Sequence, residues 1–266
     1  MALPNPIDVL RAALPPEFTI VDYITHGGQA AVFDGHYVGQ RAAIKVFSPS
    51  ADQRRVDREI AALQAIDCEY LVKVRGSTTI TVHGDRLPVV AYEFLDGGDL
   101  RALLPPAPQA TFPILRDIAI HVSTAIDVLW ARRIVHRDIK PANIVRSGVR
   151  NVLADVGLAR HVDLPALTLL GGWAGTPGFM SPEQALGRRN LTIHSDVFSF
   201  GVTLYCLAAG VHPFNGQQGQ IGVVASVPLV QRRADLPVAF CQLVDSMLAV
   251  VSHRRPTAVT ASFVQM

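Results

Sequence analysis

Residues 136–144 read His-Arg-Asp-Ile-Lys-Pro-Ala-Asn-Ile, and this stretch decides how the rest of the chain is interpreted. It places a carboxylate at Asp138, an ammonium at Lys140 and an amide at Asn143. A carboxylate can accept a proton, an amide oxygen suits a hard cation, and an ammonium can neutralise a neighbouring anion. Three such groups in one short loop favour a catalytic loop over a solvated surface turn.

Two further segments carry a carboxylate and a lysine. Asp155-Val156-Gly157 follows the loop and offers a second carboxylate next to a glycine that permits a sharp turn. Ala42-Ala43-Ile44-Lys45 is an apolar run that carries a lysine, although only three of the 24 basic residues are lysines. Lys45 and Lys140 account for two of the three, which indicates that lysine is required at these two positions.

These segments resemble the Ser/Thr protein kinases of the eukaryotic-like type common in bacteria. The likeness runs from about Val21 to Ala258. It implies a bilobal α+β fold, with a β-rich N-lobe that contains one long helix and a mostly helical C-lobe. One kinase domain would cover residues 1–266, with an N-terminal extension at 1–17, the N-lobe at about 18–96 and the C-lobe at about 97–264.

The resemblance implies a role for each polar residue of the central loop. Asp138 would be the catalytic base, and Lys140 would stabilise the transferred phosphoryl group. Asn143 and Asp155 would bind Mg²⁺, with Mn²⁺ as an alternative. A lysine at position 140 is typical of kinases that act on Ser and Thr, so tyrosine is the less favoured acceptor.

Lys45 would contact the ATP phosphates and form an ion pair with Glu59. Glu59 lies in residues 52–66, whose apolar side chains recur at helical spacing opposite charged ones, which predicts an amphipathic helix.

The glycine-rich loop of the family falls on residues 25–32, where it is incomplete. Gly27 and Val32 match, whereas Thr25 and Ala30 stand at two glycine positions. The resemblance assigns ten residues to the nucleotide site, with Glu93 in the adenine-facing hinge: Thr25, His26, Gly27, Gly28, Val32, Ala43, Lys45, Glu93, Asp99 and Val145.

Residues 175–183 resemble the end of the family's activation segment, which forms a platform for peptide acceptors. Thr176 in this platform would bridge Asp138 and Lys140. Glu183 is predicted to form a structural ion pair with Arg255.

Thr168 is the only hydroxyl residue between Asp155 and Gly175. It is therefore predicted to be a regulatory autophosphorylation site, and Arg137 would bind its phosphate.

Composition excludes several other classes of protein. Apolar residues make up 49 % of the chain and charged residues 17 %, which predicts a folded core rather than disorder. A net charge of +2 provides no broad basic field, so nucleic acid is not an expected partner. Val197 to Val211 is uncharged but shorter than the roughly 20 residues of a membrane span, which favours a buried helix. Three cysteines without a CxxC pair fit a reducing cytoplasm.

The expected partners are protein substrates with Ser or Thr acceptors and a transient homodimer for autophosphorylation. The hydrophobic pattern also predicts the main elements. The predicted strands are Phe18–Ile24, Ala31–Val38, Ala42–Phe47, Leu71–Ser77 and Leu87–Phe94. The predicted helices are a short one that ends before Pro15, then 52–66, Phe112–Arg132, Ile193–Ala209 and Leu236–Val250.

One alternative is a pseudokinase-like module that binds nucleotide for regulation or as a scaffold. Val156, where the family has phenylalanine, and the incomplete glycine-rich loop favour it, whereas the intact polar positions of the loop favour an enzyme. A small-molecule kinase is disfavoured by the peptide platform at residues 175–183.

Overall fold

The computed structural model describes residues 6–26, 30–49, 53–156, 160–161, 175–188 and 190–266. The chain forms two compact units. The first comprises Met1–Asp67 and Val72–Leu95, and the second comprises Cys68–Leu71 and Asp96–Met266. The functional limits of the lobes, about 18–96 and 97–264, stay predictions.

The first unit is a five-stranded antiparallel sheet with two helices. The strands are hydrogen-bonded in the order β1-β2-β3-β5-β4. Their bounds are β1 Phe18–His26, β2 Ala30–Tyr37, β3 Gln40–Phe47, β4 Val74–Val82 and β5 Asp85–Glu93, and the helices are α1 Pro6–Ala13 and α2 Gln53–Gln64. Strands β1 to β3 and helix α2 lie where the sequence predicts three strands and the amphipathic helix.

The core of this unit lies between the sheet and α1. Alternate residues of the strands are buried, among them Phe18, Phe33, Ile44 and Val89. Ile7 and Leu10 of α1 pack against these side chains. Arg11 of α1 also donates to the backbone carbonyls of Ile20 at 2.8 Å and Val21 at 2.6 Å. The N-terminal helix is therefore an integral part of the first unit.

The predicted fourth strand, Leu71–Ser77, was wrong in its bounds. β4 runs from Val74 to Val82 and is joined to β5 by His83-Gly84, a two-residue turn in which both φ angles are positive. Leu71 instead forms a parallel bridge with Leu153 in the second unit. An apolar run shows that a segment is buried, but it does not show which neighbour buries it, and His-Gly is a weaker turn signal than Asn-Gly.

Val38 provides a second correction, because it was predicted as the last residue of its strand. Tyr37 pairs with Gln40 across a two-residue turn, and Val38 occupies that turn with φ of 49°. A β-branched residue rarely adopts this conformation, so sequence propensity places it in the strand.

The second unit is mainly helical, with two short antiparallel strand pairs, β6 with β9 and β7 with β8. Its strands are β6 Ile134–Val135, β7 Ile144–Ser147, β8 Arg150–Leu153 and β9 Arg160–His161. Its helices are α3 Phe112–Ala131, α4 Pro182–Ala185, α5 Ile193–Ala209, α6 Leu229–Arg232, α7 Val238–Met247 and α8 Val259–Val264.

Helices α3 and α5 form the centre of this unit. The predicted apolar stripe of α3 is buried: Leu115, Ile118, Ala119, Val122, Ile126 and Leu129. Almost the whole of α5 is buried, including its polar residues Ser195, Asp196, Ser199 and Thr203. The uncharged segment around Val197 is thus the central helix of a folded unit. None of the helices in the described ranges is both long enough and apolar enough to cross a membrane.

Candidate active site

The central loop of the second unit is held by the buried carboxylate of Asp196, in the first turn of α5. Its two oxygens accept the backbone amides of His136 at 2.8 Å and Arg137 at 2.9 Å. Asp196 is 1 % exposed, and this burial raises the pKa of its carboxyl group against the opposing effects of His136 and of the two amides. One side chain of α5 therefore fixes the backbone just before Asp138.

Asp138 lies at the centre of a compact cluster of polar side chains. Its Oδ2 accepts a hydrogen bond from the ammonium of Lys140 at 2.8 Å and from the amide of Asn143 at 2.9 Å. Its Oδ1 accepts the hydroxyl of Thr176 at 2.7 Å, and that hydroxyl accepts a hydrogen bond from Lys140 at 2.5 Å. The expected bridge from Thr176 to Asp138 and Lys140 is therefore present.

His136 connects this cluster to the segment that carries Asp155. Its Nδ1 accepts the backbone amide of Asp138 at 3.3 Å, so Nε2 carries the proton and donates to the carbonyl of Ala154 at 3.1 Å. The amide of Ala154 in turn donates to the carbonyl of Asn143 at 2.8 Å. β7 and β8 form a hairpin. Asn143 directly precedes its first strand and Asp155 follows its second strand, so both residues lie at the open end of the hairpin.

Asn143 and Asp155 fit a hard cation. Both donated bonds of the Asn143 amide go to Asp138, one to the carboxylate and one to the backbone carbonyl at 2.8 Å, so the amide oxygen remains able to bind a metal. Asp155 is exposed and has φ of 57°, a conformation that is uncommon outside glycine and often occurs at functional sites. The described residues contain no cluster of three His, Cys, Asp or Glu side chains suited to a metal. Mg²⁺ needs no such cluster, because substrate phosphates supply further ligands.

The predicted phosphate-binding residues of the first unit lie on its first three strands. Lys45 of β3 pairs with Val32 of β2, and its ammonium lies 4.9 Å from the ring centroid of Phe47. Thr25 is exposed at the end of β1 and pairs with Val32. The neighbouring His26 accepts or donates a 2.5 Å hydrogen bond with the hydroxyl of Tyr23.

Several predicted residues lie outside the described part of the chain. They are Gly27, Gly28, Gly157, Thr168 and the side chain of Glu59, whose backbone belongs to α2. The ion pair predicted between Lys45 and Glu59 therefore stays a prediction.

Two more predicted nucleotide contacts, Ala43 and Glu93, lie on strands of the first unit. Ala43 is half-buried on β3 and pairs with Tyr92 of β5. Glu93 is buried at the end of β5, where its carboxylate and its backbone amide both bond to the backbone of Lys73, at 3.0 and 2.9 Å.

In the second unit, Asp99 and Val145 form an antiparallel bridge. The carboxylate of Asp99 accepts two bonds from the Arg101 guanidinium, at 2.9 and 2.8 Å, and one from the Arg101 amide at 2.9 Å. These hydrogen bonds lower the pKa of Asp99 although burial opposes them. In this conformation Asp99 is engaged by a neighbour, so contact with a ribose or a basic acceptor would require Arg101 to move.

The predicted ion pair between Glu183 and Arg255 is confirmed. Arg255 donates to the two oxygens of Glu183 at 2.7 and 3.0 Å, across 72 positions of sequence. Burial alone would raise the pKa of Glu183, but the hydrogen bonds and charge of Arg255 outweigh it and the pKa is lowered. The pair ties the end of the 175–183 platform to the last part of the chain.

Sequence reasoning missed Gln184, the residue that directly follows this platform. Gln184 is buried in α4, and its amide donates to the backbone carbonyl of Arg137 at 2.7 Å. A glutamine after the Pro-Glu pair has no spacing that distinguishes it from a surface residue, so only the fold reveals it.

A five-stranded antiparallel sheet unit, together with a helical unit that carries this Asp-Lys-Asn cluster, defines a protein kinase domain. A protein kinase domain family model matches residues 18–264, and the chain belongs to that family.

Curated relatives are Ser/Thr protein kinases from bacteria and from an amoeba. The chain is 30 % identical over 267 residues to serine/threonine-protein kinase pkn2 of Myxococcus xanthus, covering 91 % of this chain and 31 % of that protein. It is 29 % identical over 263 residues to PknL of Mycobacterium tuberculosis, covering 92 % and 62 %. It is 34 % identical over 194 residues to RasGEF domain-containing serine/threonine-protein kinase X of Dictyostelium discoideum, covering 71 % and 20 %.

The predicted fold class and the resemblance to bacterial-type Ser/Thr kinases are thus confirmed. The chain spans less than two thirds of the length of each of these relatives. The comparisons do not favour the pseudokinase alternative, since the relatives carry the names of kinases.

Proposed function

We propose that this chain is an ATP-dependent protein kinase domain that transfers the γ-phosphoryl group of ATP to Ser or Thr hydroxyls of proteins. The observation that carries the proposal is the cluster around Asp138. Its carboxylate, Lys140, Asn143 and Thr176 are joined by direct hydrogen bonds on a loop that Asp196 holds in place.

In this proposal Asp138 is the base toward the acceptor. One carboxylate oxygen receives a proton from the acceptor hydroxyl, a donor of the same type as the Thr176 hydroxyl that bonds to Oδ1 of Asp138. Lys140 places its positive charge 2.8 Å from the same carboxylate, where it can also balance charge on a transferred phosphoryl group.

Asn143 and Asp155 are the proposed metal-binding residues, and Mg²⁺ held by them would neutralise phosphate charge. Mn²⁺ satisfies the same oxygen ligands. On the first unit, Lys45 is the proposed phosphate contact, and Glu59 is its proposed ion-pair partner. Val32 and Ala43 are the proposed apolar contacts of the adenine ring. The reducing cytoplasm, where ATP is available, is the proposed compartment.

The decisive experiment compares the wild-type protein with Asp138→Asn. Labelled ATP and Mg²⁺ are supplied with a random peptide array that contains Ser or Thr acceptors. Because the base acts on the acceptor, the variant should lose turnover by a factor of about 100 or more while ATP affinity changes little. Calorimetry measures the ATP affinity in parallel.

Asp117→Asn is the matched control, since Asp117 is exposed on α3. This variant should phosphorylate the array at the wild-type rate. Equal turnover of Asp138→Asn and wild type would refute the proposed base. A wild type that binds ATP without phosphorylating any peptide would instead support the pseudokinase.

A further inference from the structure

Two side chains from the segment that follows α5 bind the backbone of the platform at residues 175–183. Gln218 accepts the amide of Gly178 at 2.9 Å through Oε1 and donates to the carbonyl of Met180 at 3.0 Å through Nε2. His212 donates from Nε2 to the carbonyl of Gly178 at 3.1 Å. Residues 178–180 of the platform belong to no strand or helix. The side chains of Gln218 and His212 therefore hold their backbone in place.

The proton of His212 is fixed in the position that this contact needs. Its Nδ1 accepts the backbone amide of Phe214 at 3.0 Å, so Nε2 carries the hydrogen that points at Gly178. Burial lowers the pKa of His212, and the hydrogen bond to Gly178 opposes this only in part. The ring also packs edge-on against Phe179, with ring centroids 5.6 Å apart.

The backbone packing at Gly178 leaves no space for adjustment. Gly178 has φ of 89°, and a Cβ built on it would lie 2.9 Å from the carbonyl oxygen of Gly216. The two segments therefore meet backbone to backbone, and a shift in one displaces the other.

Few hydrogen bonds separate the platform backbone that Gln218 binds from the cluster around Asp138. The amide of Phe179 donates to the carbonyl of Thr176 at 3.1 Å, and Thr176 bonds to Asp138 and Lys140. Gln218 holds both sides of Phe179, at Gly178 and Met180. Its position therefore determines where the platform lies relative to Asp138.

We propose that Gln218 is a positioning residue for the protein acceptor: its amide clamps the backbone of Gly178 and Met180 and thereby shapes the surface that receives the acceptor peptide, while His212 supports the clamp. The inference rests on the proposed kinase function. It concerns the acceptor alone, because the side-chain amide of Gln218 bonds to Gly178 and Met180 of the platform.

The test is Gln218→Leu, assayed with a synthetic Ser/Thr peptide selected by the wild-type enzyme from a random array. The loss of both bonds should raise KM for the peptide about tenfold while KM for ATP and peptide-independent ATP hydrolysis remain at wild-type values. Gln217→Leu is the matched control, because Gln217 lies beside Gln218 but is exposed and bonds to Gln220 instead. The control should keep the wild-type KM for the peptide.

Gln218→Glu separates the clamp from a general loss of packing. Its ionised carboxylate can accept from Gly178 but opposes the carbonyl of Met180, whereas its protonated form can again donate. The KM for the peptide of this variant, divided by that of the wild type, should therefore fall as the pH is lowered. A Gln218→Leu variant with an unchanged KM for the peptide, or with equal losses toward ATP and peptide, would overturn the proposal.

Hydrogen exchange keeps this test independent of the proposed function. The amide of Gly178 should exchange faster in Gln218→Leu than in Gln217→Leu or in the wild type, because its acceptor is lost. If the wild type phosphorylates no peptide, the proposed function fails. In that case equal exchange of all three proteins refutes the clamp, and faster exchange in Gln218→Leu supports it.

Discussion

The carboxylate of Asp196 accepts the backbone amide of His136 at 2.8 Å, across 60 positions of sequence. The other oxygen of Asp196 accepts the amide of Arg137. Each oxygen of this buried carboxylate accepts one backbone N–H group. A side chain that placed a donor at either position would therefore face an N–H group without an acceptor. The geometry of the Asp138 loop therefore depends on the carboxylate of Asp196, which belongs to α5.

Asp196→Asn should impair both folding stability and catalysis. The amide has a single acceptor oxygen, so its NH₂ group must face one of the two backbone amides, at a cost of about 1–3 kcal/mol. The displaced loop should lower kcat by about tenfold or more. Thermal unfolding and initial rates measure the two effects.

Asp245→Asn is a matched control for this prediction. Asp245 accepts the single amide of Leu229 with both oxygens, each at 3.1 Å, so the amide oxygen of asparagine can replace them. Its kcat should stay at the wild-type value. A wild-type kcat for Asp196→Asn would show that the loop keeps its geometry without this carboxylate.

The ion pair of Glu183 and Arg255 predicts a pH dependence of stability. The folded-state pKa of Glu183 lies below its ordinary value of 4.5, so the pair stabilises the fold above that pH. The contribution is lost as the pH falls through the folded-state pKa. At neutral pH Glu183→Gln should destabilise by about 3–5 kcal/mol, because it leaves Arg255 buried without its carboxylate.

Melting curves of wild type and Glu183→Gln across the acid range check this sign. The difference in Tm should be largest near neutral pH and should shrink below the ordinary carboxyl pKa. Asp34→Asn removes an exposed pair with Arg41 and should cost no more than about 1 kcal/mol at any pH. A Tm difference that grows toward acid pH would contradict the assignment.

Val156 tests how the chain accommodates its departure from the family's phenylalanine. Its side chain is 1 % exposed, so the smaller residue is already enclosed by its neighbours. Val156→Phe should therefore lower stability by about 1–3 kcal/mol through overpacking, and lower the rate with it. The same change at Val149, which is 90 % exposed, should leave Tm and rate unaltered. An increase in either quantity for Val156→Phe would show an underfilled site.

The sequence predicted most of the fold because local patterns dominate it. The spacing of apolar residues defined α3 and α5 within one residue at each end, and alternation located β2 and β3. The hairpin at His83-Gly84 was missed because this turn depends on backbone conformation more than on a recognisable residue pair.

The site residues also divide into those that local sequence predicts and those that only the fold reveals. Asp138, Lys140 and Asn143 are adjacent in sequence, and the loop brings them together as their spacing indicates. Gln218 could not be selected, since the surrounding Gln217 and Gln220 are the same residue type and bond to each other. Contacts that join distant segments depend on packing, and the one between Glu183 and Arg255 was predicted only because the family resemblance supplied it.

Thr168 remains the predicted autophosphorylation site, and it lies outside the described residues. Its phosphate would carry about −1.5 to −2 charges and could form charge-assisted hydrogen bonds with Arg137, next to Asp138. The competing Thr176 has its hydroxyl engaged by Asp138 and Lys140, so its modification should inhibit. Mass spectrometry of wild type and Asp138→Asn should find phosphate on Thr168 in the first protein alone, and Thr168→Ala should lower the rate. Since modification in trans needs two copies to meet, phosphate incorporation per molecule should also slow on dilution. A fully active wild type without phosphate on Thr168 would refute this role.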